Sequence, residues 1–245
     1  MHRFYADPDL SDESCFVLTP DDTHHAQKVL RLKPGDHVEI FFRGMRFLSV
    51  VNPSDQTALM LSPVSVLPTT EPSLSVTLFQ GLPKSDKMDF IVQKAVELGA
   101  VKIVPVAFSR SVVRLNQAES LRKQERWQKI AREAGKQSGR CIIPEVLYPV
   151  SVSSLPEYFH CCEHTVVPWE ECEKGGPLSF VKRYPALSSL GIIIGPEGGI
   201  TGDEIDLFLR SGCETLTLGK RILRTETAGL AALSVFFGLY GEMEL

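Results

Sequence analysis

Several absences narrow the chain before any motif does. Its 245 residues contain no run approaching the roughly 18 apolar residues needed to cross a bilayer. The opening MHRFYADPDL carries charge and proline where a secretory signal would need an apolar stretch. The six cysteines form no CxxC pair, so neither a zinc ribbon nor a dithiol redox motif is written in their spacing. The neighbouring Cys161 and Cys162 seldom both ligate one ion, and with Cys172 they read as loop and buried thiols; no metal is expected. No internal repeat or low-complexity tract is present. These absences point to a soluble, cytoplasmic protein. An apolar share of 43% and a charged share of 23% suit one large or two smaller globular domains and exclude a disordered chain.

The formal net charge of −4 does not advertise a polyanionic partner, but its distribution does. Residues 1–72 hold 6 Lys/Arg against 10 Asp/Glu, residues 73–140 hold 13 against 6, and residues 141–245 hold 7 against 14. A basic segment inside an otherwise acidic chain is the electrostatic footprint of nucleic-acid binding. The alternative is a solvated, salt-bridged helix face.

The apolar patterning changes near residue 70. Before it, short β segments are expected at 16–18, 36–42, 45–51 and 58–66, with one helix at 23–32. Arg43-Gly44 between two apolar runs predicts a hairpin, so residues 1–70 read as a small β-barrel. Pro68-Thr69-Thr70-Glu71-Pro72 reads as a linker. From 73 to 245, strands at 74–82, 102–108, 165–169, 190–194 and 215–218 alternate with helices at 86–98, 119–138 and 227–239. That alternation predicts an α/β domain with a parallel sheet.

Two stretches carry the most information: LGIIIGPEGGIT at 190–201 and LGKRILRTETAGLAAL at 218–233. Each is an apolar run that stops in a glycine-containing turn and restarts as a helix, the first through the capping-box pattern Thr201-Gly202-Asp203-Glu204. Ligand crevices of open α/β sheets lie at the carboxyl ends of strands, so two such ends suggest one shared site.

These two motifs resemble the last two of the SPOUT class of S-adenosylmethionine-dependent RNA methyltransferases. The particular similarity is to the RsmE family, which methylates N3 of a uridine in small-subunit (16S) ribosomal RNA. Upstream blocks extend it: His2-Arg3-Phe4-Tyr5, His24-His25, Gly35-Asp36, Lys84-Ser85-Asp86-Lys87-Met88, Glu97-Leu98-Gly99, Arg110-Ser111-Val112 and Gln137-Ser138-Gly139-Arg140. The resemblance implies a PUA-like or OB-like RNA-binding barrel at the N-terminus, then a SPOUT domain with a deep C-terminal trefoil knot. It also implies three loops, 167–171, 194–200 and 218–225, gathered around the cofactor.

On that resemblance, Val167, Pro168, Ile194, Gly195, Pro196, Gly198, Gly199, Leu218, Gly219, Ile222, Leu223 and Thr225 are expected to line the S-adenosylmethionine site. Arg3, Lys28, Arg31, Lys84, Arg110, Arg114, Gln137, Ser138 and Arg140 are the expected RNA contacts. Methylation at N3 removes an imide proton while charge grows on O2 and O4, so a donor and a proton acceptor are useful; Arg224 and Glu226 stand where they could serve. Glu226 reads equally as a helix-start carboxylate, with water taking the proton. The loop after residue 168, Trp169-Glu170-Glu171-Cys172-Glu173, lacks the arginine that family members commonly carry there. Residues 227–239 are apolar on nearly every face, and the resemblance makes this helix a homodimer interface, with ribosomal RNA, free or within the small subunit, as the other partner. Rival readings are a different SPOUT methylation, at a ribose 2′-O or on transfer RNA, and a non-catalytic RNA-binding assembly factor.

Overall fold

Arg43 and Gly44 take φ of 49° and 76°, the paired positive angles of a tight type I′ hairpin turn. They join β3 (His37–Phe42) to β4 (Met45–Val51) in the expected place. The structure is a computed structural model that describes residues 1–53, 58–173 and 175–244. Its chain divides into two compact units: Met1–Glu71 with Gly135–Ile143, and Pro72–Ala134 with Pro144–Leu245.

In the first unit, β1 (Arg3–Tyr5), β2 (Phe16–Val17) and β5 (Met60–Leu67) join that hairpin in the order β1-β3-β4-β5-β2. β1 runs parallel to β3 and the other pairs are antiparallel. An antiparallel bridge between Ala6 and Leu18 brings the two edge strands together, so the sheet curls back on itself as the expected barrel does. Val38, Ile40 and Phe42 alternate inward along β3 and pack with Phe4, Phe16, Phe47 and Leu61. The expected helix at 23–32 begins earlier, as α1 (Pro20–His24) capped by the Thr19 hydroxyl, and continues as a π-helical turn over His25–Val29. Phe41, on the other face of β3, packs with Tyr5 and Cys141. Because β3 is apolar on both faces, it needs a second cover, which residues 135–143 supply. The Tyr5 hydroxyl donates to the Arg140 carbonyl at 2.9 Å, and Glu71 accepts from the Cys141 backbone N–H at 2.6 Å.

The second unit is built on an all-parallel seven-stranded sheet. Its elements are β6 (Ser75–Gly81), α2 (Lys87–Leu98), β7 (Lys102–Ala107), α3 (Gln117–Ser138, whose last turn falls in the first unit), β8 (Glu145–Val146) and β9 (Val150–Ser151). A 3-10 helix over Val152–Cys161 leads to β10 (His164–Pro168), α4 (Pro177–Arg183), β11 (Ser189–Ile194), α5 (Gly202–Arg210), β12 (Glu214–Leu216) and α6 (Thr225–Leu239). The order is β12-β10-β11-β6-β7-β8, with β9 also on β7. Alternate residues of β6 feed two cores. Val76 and Leu78 pack with Ile91 and Val92 of α2 and Leu233 and Phe236 of α6; Phe79 packs with Phe159 of the 3-10 helix and Phe208 of α5. The α/β class, the parallel sheet and the curled N-terminal barrel thus match the sequence expectation.

Candidate functional site

The chain order at one sheet edge sets the site. β12 does not extend the sheet beyond β11 but returns to the outer side of β10. The loops that follow β10, β11 and β12 therefore leave neighbouring parallel strands at their carboxyl ends, where ligands of such sheets bind. Between them lies a cleft of about 310 Å³ lined by Pro168, Trp169, Glu170, residues 194–200, residues 222–225 and Ala228. A lobe of about 90 Å³, walled by Thr217, Leu218, Gly219 and Arg221, shares Pro168, Trp169, Glu170, Ile222, Leu223 and Ala228 with it. Volumes of ~300–1,000 Å³ are those of ordinary small-molecule sites.

The glycine loop is tied down on every side. Its Pro196 carbonyl accepts from the Gly199 N–H at 2.9 Å, and Gly199 holds φ at 76°, a region that favours glycine. A side chain at Gly198 would meet the Arg110 carbonyl at 2.8 Å, so glycine there permits the close approach of the segment after β7. The Thr225 hydroxyl donates to the Gly195 carbonyl at 2.6 Å and accepts from the Gln80 amide at 2.9 Å. Gln80 is fully buried, and its Oε1 has no hydrogen-bond partner among the described residues.

The expected capping box of α5 forms. The Thr201 hydroxyl accepts from the Glu204 N–H at 3.3 Å, and Glu204 accepts from the Thr201 N–H at 2.8 Å. The second Glu204 oxygen accepts from the Ser109 N–H at 2.8 Å, which anchors the neighbouring loop. Burial works to raise the Glu204 carboxyl, but these hydrogen bonds outweigh it and hold it below the usual carboxylate range.

Eleven of the twelve residues expected around the cofactor line the cleft or its lobe. Val167 does not: its side chain is fully buried in the core with Phe79 and Val104, because alternation along β10 turns it into the sheet packing. Beside Pro168, the residues of this loop that line the cleft are Trp169 and Glu170. Ile222 is 84% exposed, an isoleucine held at the cleft rim.

Arg224 lines the cleft as the residue preceding α6, and its guanidinium makes no hydrogen bond or ion pair among the described residues. Glu226 does not line it. Its carboxylate pairs with the Lys87 ammonium at 3.1 Å, and the same ammonium lies 3.2 Å from Glu197 of the glycine loop. Burial pushes the Glu226 carboxyl upward, but its own backbone N–H and then Lys87 and Arg224 win, leaving it below the ordinary value. A carboxylate so stabilised is a weak proton acceptor. Trp169, Glu170, Gln80 and Lys87 are absent from the sequence-based site set. Lys87 sits in a block singled out for its resemblance, and Gln80 is a lone polar side chain in an apolar strand, so both carried a signal.

Of the expected RNA contacts in the second unit, Lys84, Arg110 and Arg114 are exposed. Arg110 donates to the Gly198 carbonyl at 3.3 Å and Arg114 to the Ser109 carbonyl at 3.0 Å. In the first unit Lys28, Arg31 and Gln137 are exposed and Ser138 is half-buried. Arg3 is partly committed, to Glu39 at 3.2 Å and the Gln137 carbonyl at 2.6 Å. Arg140 is corrected: it is 3% exposed and its guanidinium holds Glu71 at 2.7 Å, so it serves the barrel's cover rather than a phosphate.

A family model described as an RNA methyltransferase domain matches residues 70–237, and an RNA methyltransferase PUA domain matches residues 18–53. Ribosomal RNA small subunit methyltransferase E of Bacillus subtilis is 35% identical, over 96% of this chain and 95% of its own. The crystal structure of ribosomal RNA small subunit methyltransferase E from Neisseria gonorrhoeae, bound to S-adenosylmethionine, is 30% identical with a TM-score of 0.85, covering 99% of both chains. A putative methyltransferase of Legionella pneumophila with bound S-adenosylmethionine is 29% identical, with a TM-score of 0.82 and 96% of each chain covered.

Proposed function

Because the chain belongs to the ribosomal RNA small subunit methyltransferase E family of RNA methyltransferases, we propose that it transfers a methyl group from S-adenosylmethionine to N3 of a uridine in small-subunit ribosomal RNA. The observation that carries this reading is the cleft at the ends of β10, β11 and β12, ringed by the glycine loop and residues 222–225. Its residues fit the cofactor. The backbone of Gly195, Gly198 and Gly199 suits the edge of an adenine, and Leu218, Ile222 and Leu223 suit its faces. Glu170 and Glu197 bring negative charge to a site for a sulfonium cation. When bound, S-adenosylmethionine supplies an electrophilic methyl carbon.

The chain's own contribution is to orient the base and manage one proton. Loss of the N3 proton places negative charge on N3 and on the uracil oxygens; were N3 then to bond the methyl carbon, the carbon–sulfur bond would break and leave a neutral thioether. Arg224, whose guanidinium makes no hydrogen bond or ion pair among the described residues, is the donor for that charge. Glu226, tied to Lys87, keeps the start of α6 in position, and the N3 proton passes to solvent. Arg3, Lys28 and Arg31 in the first unit and Lys84, Arg110 and Arg114 in the second are the phosphate contacts, with Gln137 and Ser138 as hydrogen-bonding residues; such contacts position structured RNA without reading its sequence. The target base must be unstacked to be reached.

The same proposal includes a trefoil-knotted path through the three loops, a homodimer through α6, whose Val235 and Leu239 are 41% and 37% exposed, and a cytoplasmic location beside the small subunit or its precursor. The reaction is tested by incubating the purified protein with small-subunit ribosomal RNA, or with the assembled subunit, and methyl-labelled S-adenosylmethionine. Label recovered in 3-methyluridine is the expected outcome. Label in a ribose or in transfer RNA would favour another methylation of the class, and no label in any RNA, with RNA still bound, would leave an assembly factor.

A further inference from the structure

Lys87 is the first residue of α2, where the positive end of the helix dipole makes a cation locally unfavourable. Two residues earlier, Ser85 adopts φ of 58°, an uncommon angle for a residue with a side chain. Two local rules are thus broken in one short turn, and both departures serve a single contact. The turn brings the Lys84 backbone N–H to 3.1 Å from Glu197 Oε1 and the Lys87 ammonium to 3.2 Å from the same oxygen. The other side of that ammonium lies 3.1 Å from Glu226 Oε2. Glu197 belongs to the glycine loop and Glu226 to the first turn of α6, so one lysine joins the two segments that flank the cleft.

We propose that Lys87 is a positioning residue for methyl transfer: it ties the glycine loop to the start of α6, which fixes Glu226 and leaves Arg224 free to meet the substrate. This rests on the methyltransferase reading. Without the ammonium, Glu197 and Glu226 would face each other as like charges, and the alternative partner for Glu226 is Arg224. A guanidinium drawn onto Glu226 is withdrawn from the reacting base. Both carboxyls lie below their usual range, with burial opposing and backbone N–H groups and Lys87 prevailing, as expected if the lysine is shared between them. Lys87 itself is raised by the same two partners, Glu226 first.

The test uses the full chain with Lys87→Met and Lys87→Arg. Single-turnover methyl transfer to small-subunit ribosomal RNA, at saturating RNA and S-adenosylmethionine, should fall about ten- to a hundredfold in Lys87→Met, as small displacements of reacting groups do. Lys87→Arg should recover most of it. The melting temperature should stay close to that of the wild type, and carbon-detected NMR titration of Glu197 and Glu226, read against Lys87, Lys84 and Arg224, should show both carboxyls moving up in Lys87→Met. Amide hydrogen exchange in residues 195–200 and 225–228 should quicken together. A Lys87→Met protein with the wild-type single-turnover rate, or one that loses rate only in step with melting temperature while both carboxyls stay put, would overturn the proposal. If the wild type transfers no methyl group to RNA, the function reading fails by itself; titration and exchange still decide whether Lys87 couples the two segments.

Discussion

Arg224 and Glu226 lie two residues apart in one motif, yet their environments differ. Arg224 is exposed at the cleft, with no hydrogen bond or ion pair from its guanidinium among the described residues, whereas Glu226 is tied to Lys87. Arg224→Ala should lower single-turnover methylation by about 10²–10³ while S-adenosylmethionine and RNA still bind, the usual cost of losing a preorganised donor to developing charge. Glu226→Gln separates two roles. Glu226 is ionised throughout the neutral range because its carboxyl is held low, so an orienting carboxylate predicts a rate loss with no recovery as pH rises. Partial recovery at high pH would make Glu226 the proton acceptor instead. Ile222, 84% exposed at the rim, offers a cleaner probe of the cofactor than the glycines do. Ile222→Ala should weaken S-adenosylmethionine binding by about tenfold with melting unchanged, if roughly 1.5 kcal/mol of apolar burial is lost; calorimetry decides it. Gly198→Val would instead force the Arg110 segment away, mixing binding with folding.

At the scale of elements, α5 shows how a sequence signature becomes a tertiary anchor. Glu204 caps its own helix and also holds the Ser109 N–H. Glu204→Ala should cost about 2 kcal/mol at neutral pH by removing the carboxylate half of the capping box and stranding the Thr201 and Ser109 N–H groups. The Glu204 carboxyl is lowered in the folded state, so its stabilisation is present above the unfolded value and fades as pH falls through the folded one. Urea denaturation in neutral and acidic buffer should therefore show the two proteins converging in acid. The capping box, the hairpin at Arg43-Gly44 and the long strands were legible because each is a local pattern. Short strands such as Arg3–Tyr5 and Glu145–Val146 were not, since only partners far along the chain make them strands. Arg140 misled for the same reason. Its charge and its neighbours at 137–139 suggested a phosphate, and nothing local announced that Glu71 would bury it. Lys87 was visible as a residue, but its role depends on two carboxylates more than 100 positions away.

At the scale of the whole molecule, the basic 73–140 segment, in an acidic chain, should make RNA affinity fall with salt by about 0.7–0.9 log units per phosphate contact per decade. Lys84→Ala should flatten that slope, whereas Arg140→Ala should lower stability and leave the slope alone. A slope near zero for the wild type would reduce the basic segment to a solvated face. The most direct measurement is nucleoside mass spectrometry of small-subunit ribosomal RNA from a strain lacking this gene and from the same strain with the gene restored. Loss of 3-methyluridine, and its return with the wild type but not with Arg224→Ala, is the expected result. Unchanged 3-methyluridine, or the loss of a different modified nucleoside, would contradict methylation at uridine N3.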